Sequence, residues 1–193
     1  MKNDIIFIGG IHGVGKGTLC ERIESELGIV HLSASEVLKW KDFNVDSSDK
    51  RVADIDATQD RLLKNLKGVV TSGKTYLLDG HFCLLNKESK IEKVPEEVFI
   101  GINPKKIIVV SETPEIIAKR LSQRDGKRYE TSLLEKMQNT EIEHAQYISS
   151  LLGLEMFEIQ SDSYSTLKEV INLKSATPFP KCYLHKEKWT FDS

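Results

Sequence analysis

At 193 residues the chain is long enough for one well-buried domain and short for two. Its 27 basic and 29 acidic residues leave a formal charge of −2, so no global field draws it to nucleic acid or to an anionic membrane. Cys20, Cys83 and Cys182 are odd in number, widely separated and in no C-x-x-C pair, which argues against a disulfide framework and a zinc site and for a reducing compartment.

The N-terminal MKNDIIFIGG holds too short an apolar run for a signal-peptide core, and no later run approaches a membrane span. A cytoplasmic protein is expected. Ile5 to Ile8, ended by Gly9-Gly10, reads as a strand buried on both faces. Leu19, Ile23 and Leu27 recur every four residues before Gly28, which predicts an amphipathic helix over Gly15 to Leu27. Further buried strands are expected at Ile29 to Leu32, Thr75 to Asp79, Ile107 to Val110 and Met156 to Ile159. Helical patterns stand between most of them: Leu62, Leu63, Leu66; Ile117, Leu121; Leu167, Val170, Ile171. Strand and helix alternate, so the class is α/β.

Three stretches break the alternation. Asp42 to Asp56 is polar and acid-rich and reads as an excursion. Phe82 to Pro95 carries two short apolar runs around a charged turn and reads as a hairpin. The tail, 175–193, has prolines and aromatics without period and reads as a strap or a docking segment for a protein partner or a second copy. The chain thus divides into one domain over 1–174, with the excursion region about 33–68, the hairpin about 82–95 and a lid about 125–130, followed by the tail.

GGIHGVGKGTLC carries the chemistry. Gly10, Gly15 and Lys16 fit G-x-x-x-x-G-K, yet the next position, where a hydroxyl normally ligates magnesium, is Gly17, and the hydroxyl comes one place late at Thr18. Glycines let backbone N–H groups approach phosphates, the helix N-terminus adds positive potential, and the lysine reaches the terminal phosphates. Nucleotide binding follows. Asp79, ending a buried strand beside the loop, is placed to order magnesium and its waters. Arg120 and Arg124 lie four apart on one helix face and Arg128 follows a D-G-K turn, a comb of positive charge suited to a transferred phosphate. Along the next helix Met137, Glu141, Ala145, Ile148 and Leu152 form one stripe. Glu141 is its lone charge, and a lid arginine is the expected partner.

G-x-x-G-x-G-K-G-T resembles the loop of adenylate kinases and related nucleoside monophosphate kinases, with His12 in place of the usual proline. The resemblance implies a three-layer P-loop fold, a five-stranded parallel sheet in the order 2-3-1-4-5, a short lid and a small hairpin insertion. It implies ATP on Gly10, Gly13, Val14, Gly15, Lys16, Gly17, Thr18 and Arg120, with Mg2+ held through water by Thr18 and Asp79. LSASEVLKW resembles the acceptor-site segment of these kinases, which implicates Ser35, Glu36 and Lys39, with Arg124 and Arg128, in holding a nucleotide monophosphate. Ser33 or Ser35 with Glu36 also fits an ordinary helix cap, and the two readings are compatible.

Asp79-Gly80-His81 departs from the adenylate-kinase D-G-F-P-R segment and is similar to the small adenylate kinase isoenzyme 6 family and its archaeal relatives, in which the histidine helps position the reacting water or phosphate. Lys16, Asp79, His81, Arg120 and Arg124 are then the catalytic set. The resemblance spans about residues 5 to 160. It implies a phosphotransferase moving the γ-phosphoryl of ATP to a nucleotide monophosphate. The alternatives are an ATPase or nucleotide-dependent switch in a larger assembly, and a kinase of a non-nucleotide small molecule or an RNA end. The near-neutral charge counts against nucleic acid.

Overall fold

A computed structural model of the chain describes residues 4–39, 55–86 and 88–173, with the side chains of 39 and 55–60 left aside. Most of the predicted excursion, 42–54, and the tail, 175–193, lie outside the described residues.

Five strands form one parallel sheet: β1 (Asp4–Gly9), β2 (Val30–Ser33), β3 (Thr75–Asp79), β6 (Lys106–Ser111) and β7 (Met156–Gln160). Their spatial order is β2-β3-β1-β6-β7, which is 2-3-1-4-5 when sheet strands alone are counted. Two more strands, β4 (Cys83–Leu85) and β5 (Ile91–Lys93), pair antiparallel as a separate hairpin. The helices are α1 (Lys16–Leu27), α2 (Ala34–Lys39), α3 (Ile55–Val69), α4 (Glu96–Ile102), α5 (Pro114–Asp125), α6 (Thr131–Leu152) and α7 (Tyr164–Asn172).

Alternation along the strands sorts the core into two layers. Ile6, Ile8, Leu77, Ile108 and Val110 face α1, α5 and α7, meeting Leu19, Ile23, Ile117, Leu121 and Leu167. Ile5, Phe7, Tyr76, Leu78, Ile107 and Val109 face the opposite way, onto α3, α4 and the second half of α6. The buried strands expected at β1, β3 and β6 are therefore apolar through their middles because both faces are covered. β2 begins one residue later than expected, since Gly28 turns the chain with φ 65° and pairing carries the strand on to Ser33, opposite Asp79.

Two phenylalanines interlock the strand ends. A Cβ on Gly9 would stand 2.4 Å from the ring of Phe82, and one on Gly80 would stand 2.7 Å from the ring of Phe7. The rings themselves meet edge to face at 5.0 Å, with Phe99 stacked on Phe82 at 4.9 Å. At the other end of the sheet the buried Lys106 sends Nζ to Val170 O at 2.6 Å and Ile171 O at 3.2 Å, in the last turn of α7, and to Leu173 O just beyond it. A cation there also suits the negative end of the helix dipole. Among the described residues no helix is long and apolar enough to cross a membrane.

Candidate active site

The loop leaves β1 between β3 and β6, at the carboxyl ends of the strands where an α/β sheet binds its ligands. Gly10 has φ 141° and a Cβ there would lie 2.6 Å from Val110 O, so the backbone passes where only glycine fits. Lys16 opens α1 and is 6% exposed, its ammonium turned into the loop rather than out to solvent. Its Nζ donates to Gly10 O at 2.5 Å and lies 3.7 Å from Asp79 Oδ1. Burial lowers the pKa of this lysine, and Asp79 works against the shift. The amides of the first helical turn, which have no partner four residues earlier, sit beside it.

Glu141 corrects one expectation. It is fully buried, and no lid arginine reaches it among the described contacts; backbone amides hold it instead. Gly10 N donates to Oε1 at 2.8 Å and Cys83 N donates to Oε2 at 2.6 Å. Burial pushes its carboxyl pKa up, while the amides of Phe82, Cys83 and Gly10 oppose the shift. A charge in an apolar stripe was the sequence signal, but amide donors are common to every residue and leave no trace in a sequence.

Asp79 ends β3 with its two oxygens facing different groups. Oδ1 faces Lys16, and Oδ2 stands 3.8 Å from Nε2 of His31, a β2 residue that sequence reasoning passed over. The neighbouring carboxylate raises the pKa of His31 against the effect of burial. His81 comes next in the chain and its ring lies 4.2 Å from that of His12, so the loop and the end of β3 touch through two imidazoles. Burial, helped by Lys16, holds both below the ordinary histidine pKa, and His81 well below it. Both shifts favour the neutral ring.

The three arginines separate. Arg120 turns to the loop: Nη1 donates to Val14 O at 2.8 Å and to Ser161 Oγ at 3.2 Å, and Nη2 lies 3.3 Å from Glu112 Oε2. Ser161 also donates to Glu112 at 2.5 Å, and this bond, with the Thr113 amide and Arg120, lowers the pKa of Glu112. Arg124 forks onto Asp125 at 2.6 and 2.9 Å, and Tyr129 donates to the same carboxylate. Arg128 is exposed in the short connection between α5 and α6.

On the acceptor side, Ser35 and Glu36 are exposed in α2, and Ser35 shares a hydrogen bond of 2.9 Å with Ser33. Asn65 Nδ2 donates to Val37 O at 2.8 Å and ties α2 to α3. Lys39 ends α2, but its side chain lies outside those described. Thr18 is exposed, and a Cβ on Gly17 would meet nothing within 4 Å.

A family model described as "AAA domain" matches residues 9–138, a stretch running from the loop through β3 to the arginines of α5. Adenylate kinase isoenzyme 1 of Sus scrofa is 29% identical over 132 residues, covering 64% of this chain and 65% of that protein. The chain thus spans a little under two thirds of the length of that relative. UMP-CMP kinase of Bos taurus is 47% identical over 47 residues, 24% of each chain. A gluconokinase structure from Sinorhizobium meliloti 1021 covers 88% of this chain and 95% of its own with a TM-score of 0.45 at 14% identity. Since the matched stretch is more than half of the molecule and contains the whole loop, the chain belongs to the AAA-domain family of P-loop proteins, within the nucleoside monophosphate kinase-like superfamily.

Proposed function

We propose that the protein is an ATP-dependent phosphotransferase that moves a γ-phosphoryl group to a nucleoside monophosphate. The observation that carries this reading is the position of Lys16, buried in the loop between Gly10 O and Asp79, where its charge is desolvated and preorganised for a phosphate. The kinases among the relatives support the transfer to an acceptor.

In this reading the loop amides and the N-terminus of α1 hold the phosphates, and Lys16 exchanges its bond to Gly10 O for one to a terminal phosphate oxygen. Asp79 and Thr18 fit magnesium, because both offer hard oxygen donors and Asp79 is partly open to solvent. An ion held there would supply charge neutralisation of the phosphates. Arg120 braces the loop through Val14 O and lies ready for the nucleotide end, while Arg124 must leave Asp125 to reach a phosphate. Arg128 follows in the lid, and Ser35, Glu36 and Lys39 receive the acceptor. Closure over the site excludes water, which otherwise competes as acceptor.

One observation favours a second reading, an ATPase or switch. His81, tilted against His12 beside the loop and held by burial towards its neutral form, is able to accept a hydrogen bond from an attacking water. Incubation with ATP and each nucleoside monophosphate in turn separates the two. A kinase forms a new diphosphate without free phosphate, and an ATPase releases phosphate whatever acceptor is present. Absence of any diphosphate across the panel would remove the kinase reading. We place the protein in the cytoplasm, with 1–174 as its single domain and the tail as a docking segment.

A further inference from the structure

We propose that Cys20, His31 and Asp79 form a second metal site, one that takes a thiophilic ion of the Zn2+ class and withdraws Asp79 from the loop. The spacing of the cysteines gives no zinc motif, yet the fold brings together three residues of three elements. Cys20 comes from α1, His31 from β2 and Asp79 from β3, and one potential ligand atom of each lies within 4.8 Å of the others.

The donor set selects the metal. Sulfur, imidazole nitrogen and carboxylate oxygen are what zinc binds, whereas magnesium takes oxygen. Zinc–ligand bonds of about 2.0–2.3 Å set ligand atoms about 3.3–3.8 Å apart, so closing this triad onto an ion takes shifts of about 1 Å. The contact between His31 Nε2 and Asp79 Oδ2, at 3.8 Å, is already close to that spacing.

A second observation points to a missing partner. His31 Nε2 is buried and has no hydrogen-bond partner among the described residues, because 3.8 Å to Asp79 is too long for one. The backbone of His31 is meanwhile fixed by Glu24, whose Oε1 accepts its amide hydrogen at 3.0 Å. Three protein ligands with a fourth position left for water describe an exchangeable site rather than a closed structural one. As the sulfur–metal bond forms, Cys20 gives up its thiol proton to solvent, and thiolate and carboxylate together balance the dication.

The ion lies against Oδ2, on the side of the carboxylate away from Lys16, and pulls Asp79 towards β2. Binding itself does not depend on the phosphotransfer reading, but its consequence does: zinc inhibits by occupying Asp79.

The test uses the full chain and Co2+ as a spectroscopic stand-in. One ion per chain is expected, with tetrahedral d–d bands and a thiolate-to-cobalt charge-transfer band that one equivalent of Zn2+ removes. Cys20→Ser loses the charge-transfer band, His31→Gln loses the tetrahedral bands, and Cys182→Ser keeps both. Circular dichroism confirms that each variant is folded, and Cys20→Ala replaces Cys20→Ser if it is not. No charge-transfer band in the parent chain, or a band that survives loss of the Cys20 thiol, overturns the site. Zinc inhibition of ATP turnover that disappears in Cys20→Ser supports the withdrawal of Asp79, and equal inhibition in both chains overturns it. A chain that binds cobalt as described yet, freed of cobalt and supplied with Mg2+, turns over no ATP refutes the phosphotransfer reading and leaves the metal site standing.

Discussion

Glu141 Oε1 accepts the amide hydrogen of Gly10 at 2.8 Å, across 131 positions of chain. With Cys83 N on its other oxygen, the carboxylate joins the start of the phosphate loop, the segment after β3 and the middle of α6. Glu141→Leu leaves two buried amides without acceptors, at about 1–3 kcal/mol each. Chemical denaturation should show a loss of that order, and ATP affinity should fall with it, because Gly10 is no longer held. A variant as stable as the parent would mean that water replaces the carboxylate.

Lys16→Ala and Asp79→Asn remove the two charges that meet at 3.7 Å in the loop. Each should lower turnover about 10²–10³-fold or more, the usual effect of losing one preorganised transition-state partner. Thermal melts should show both variants folded. Near-normal turnover in both would remove the mechanism proposed above.

The glycines of the loop are not equivalent. Gly10→Ala must force a side chain to φ 141° and within 2.6 Å of Val110 O, and should cost about 1–3 kcal/mol. Gly17→Ala meets open space within the first turn of α1 and should leave stability unchanged or raise it by about 0.5–1 kcal/mol. Gly17→Ser is then the informative change, since it restores a hydroxyl where magnesium is usually ligated. Its fold should be intact and its magnesium dependence altered, measured as turnover against Mg2+ concentration.

Glu26 joins α1 to α7. It takes Arg22 Nε at 2.9 Å and Lys168 Nζ at 3.2 Å, and the Arg22 bond, first among several, lowers its pKa from 4.5 to about 2. The folded value is below the unfolded one, so the contribution to stability is present above the unfolded pKa and is lost as pH falls through the folded one. The difference in urea midpoint between the parent and Glu26→Gln should therefore be present at about pH 6 and close between 4.5 and about 2. A gap that widens on acidification would reverse the sign of this argument.

What the sequence made legible was what is contiguous in it. The loop, the strand ending in Asp79 and the helix that follows the loop are runs of neighbouring residues; alternation of such runs implies the α/β class, and the order of the strands is what the resemblance of the loop to the kinases implies. Residues acting across the fold were hidden. Lys106 heads a six-residue buried strand and serves carbonyls in α7, and His31 is one polar residue in an edge strand, with nothing nearby in sequence to mark Asp79 as its neighbour. Glu141 was noticed as an isolated charge but given the wrong partner, because buried acids are usually matched with cations and here the matching donors are amides. The arginine comb was legible as charge. Its division between the loop and Asp125 depends on where α5 turns, which charge alone does not carry.

The pairing of Gly9 with Phe82 and of Gly80 with Phe7 has a historical consequence. Each ring fills the volume that its glycine vacates, so neither member can change size alone without collision or void. Descendants of a common ancestor must alter such pairs together. Across aligned relatives, positions 9 and 82 should therefore vary in opposite directions of size, as should positions 80 and 7, even where the loop between them is unchanged.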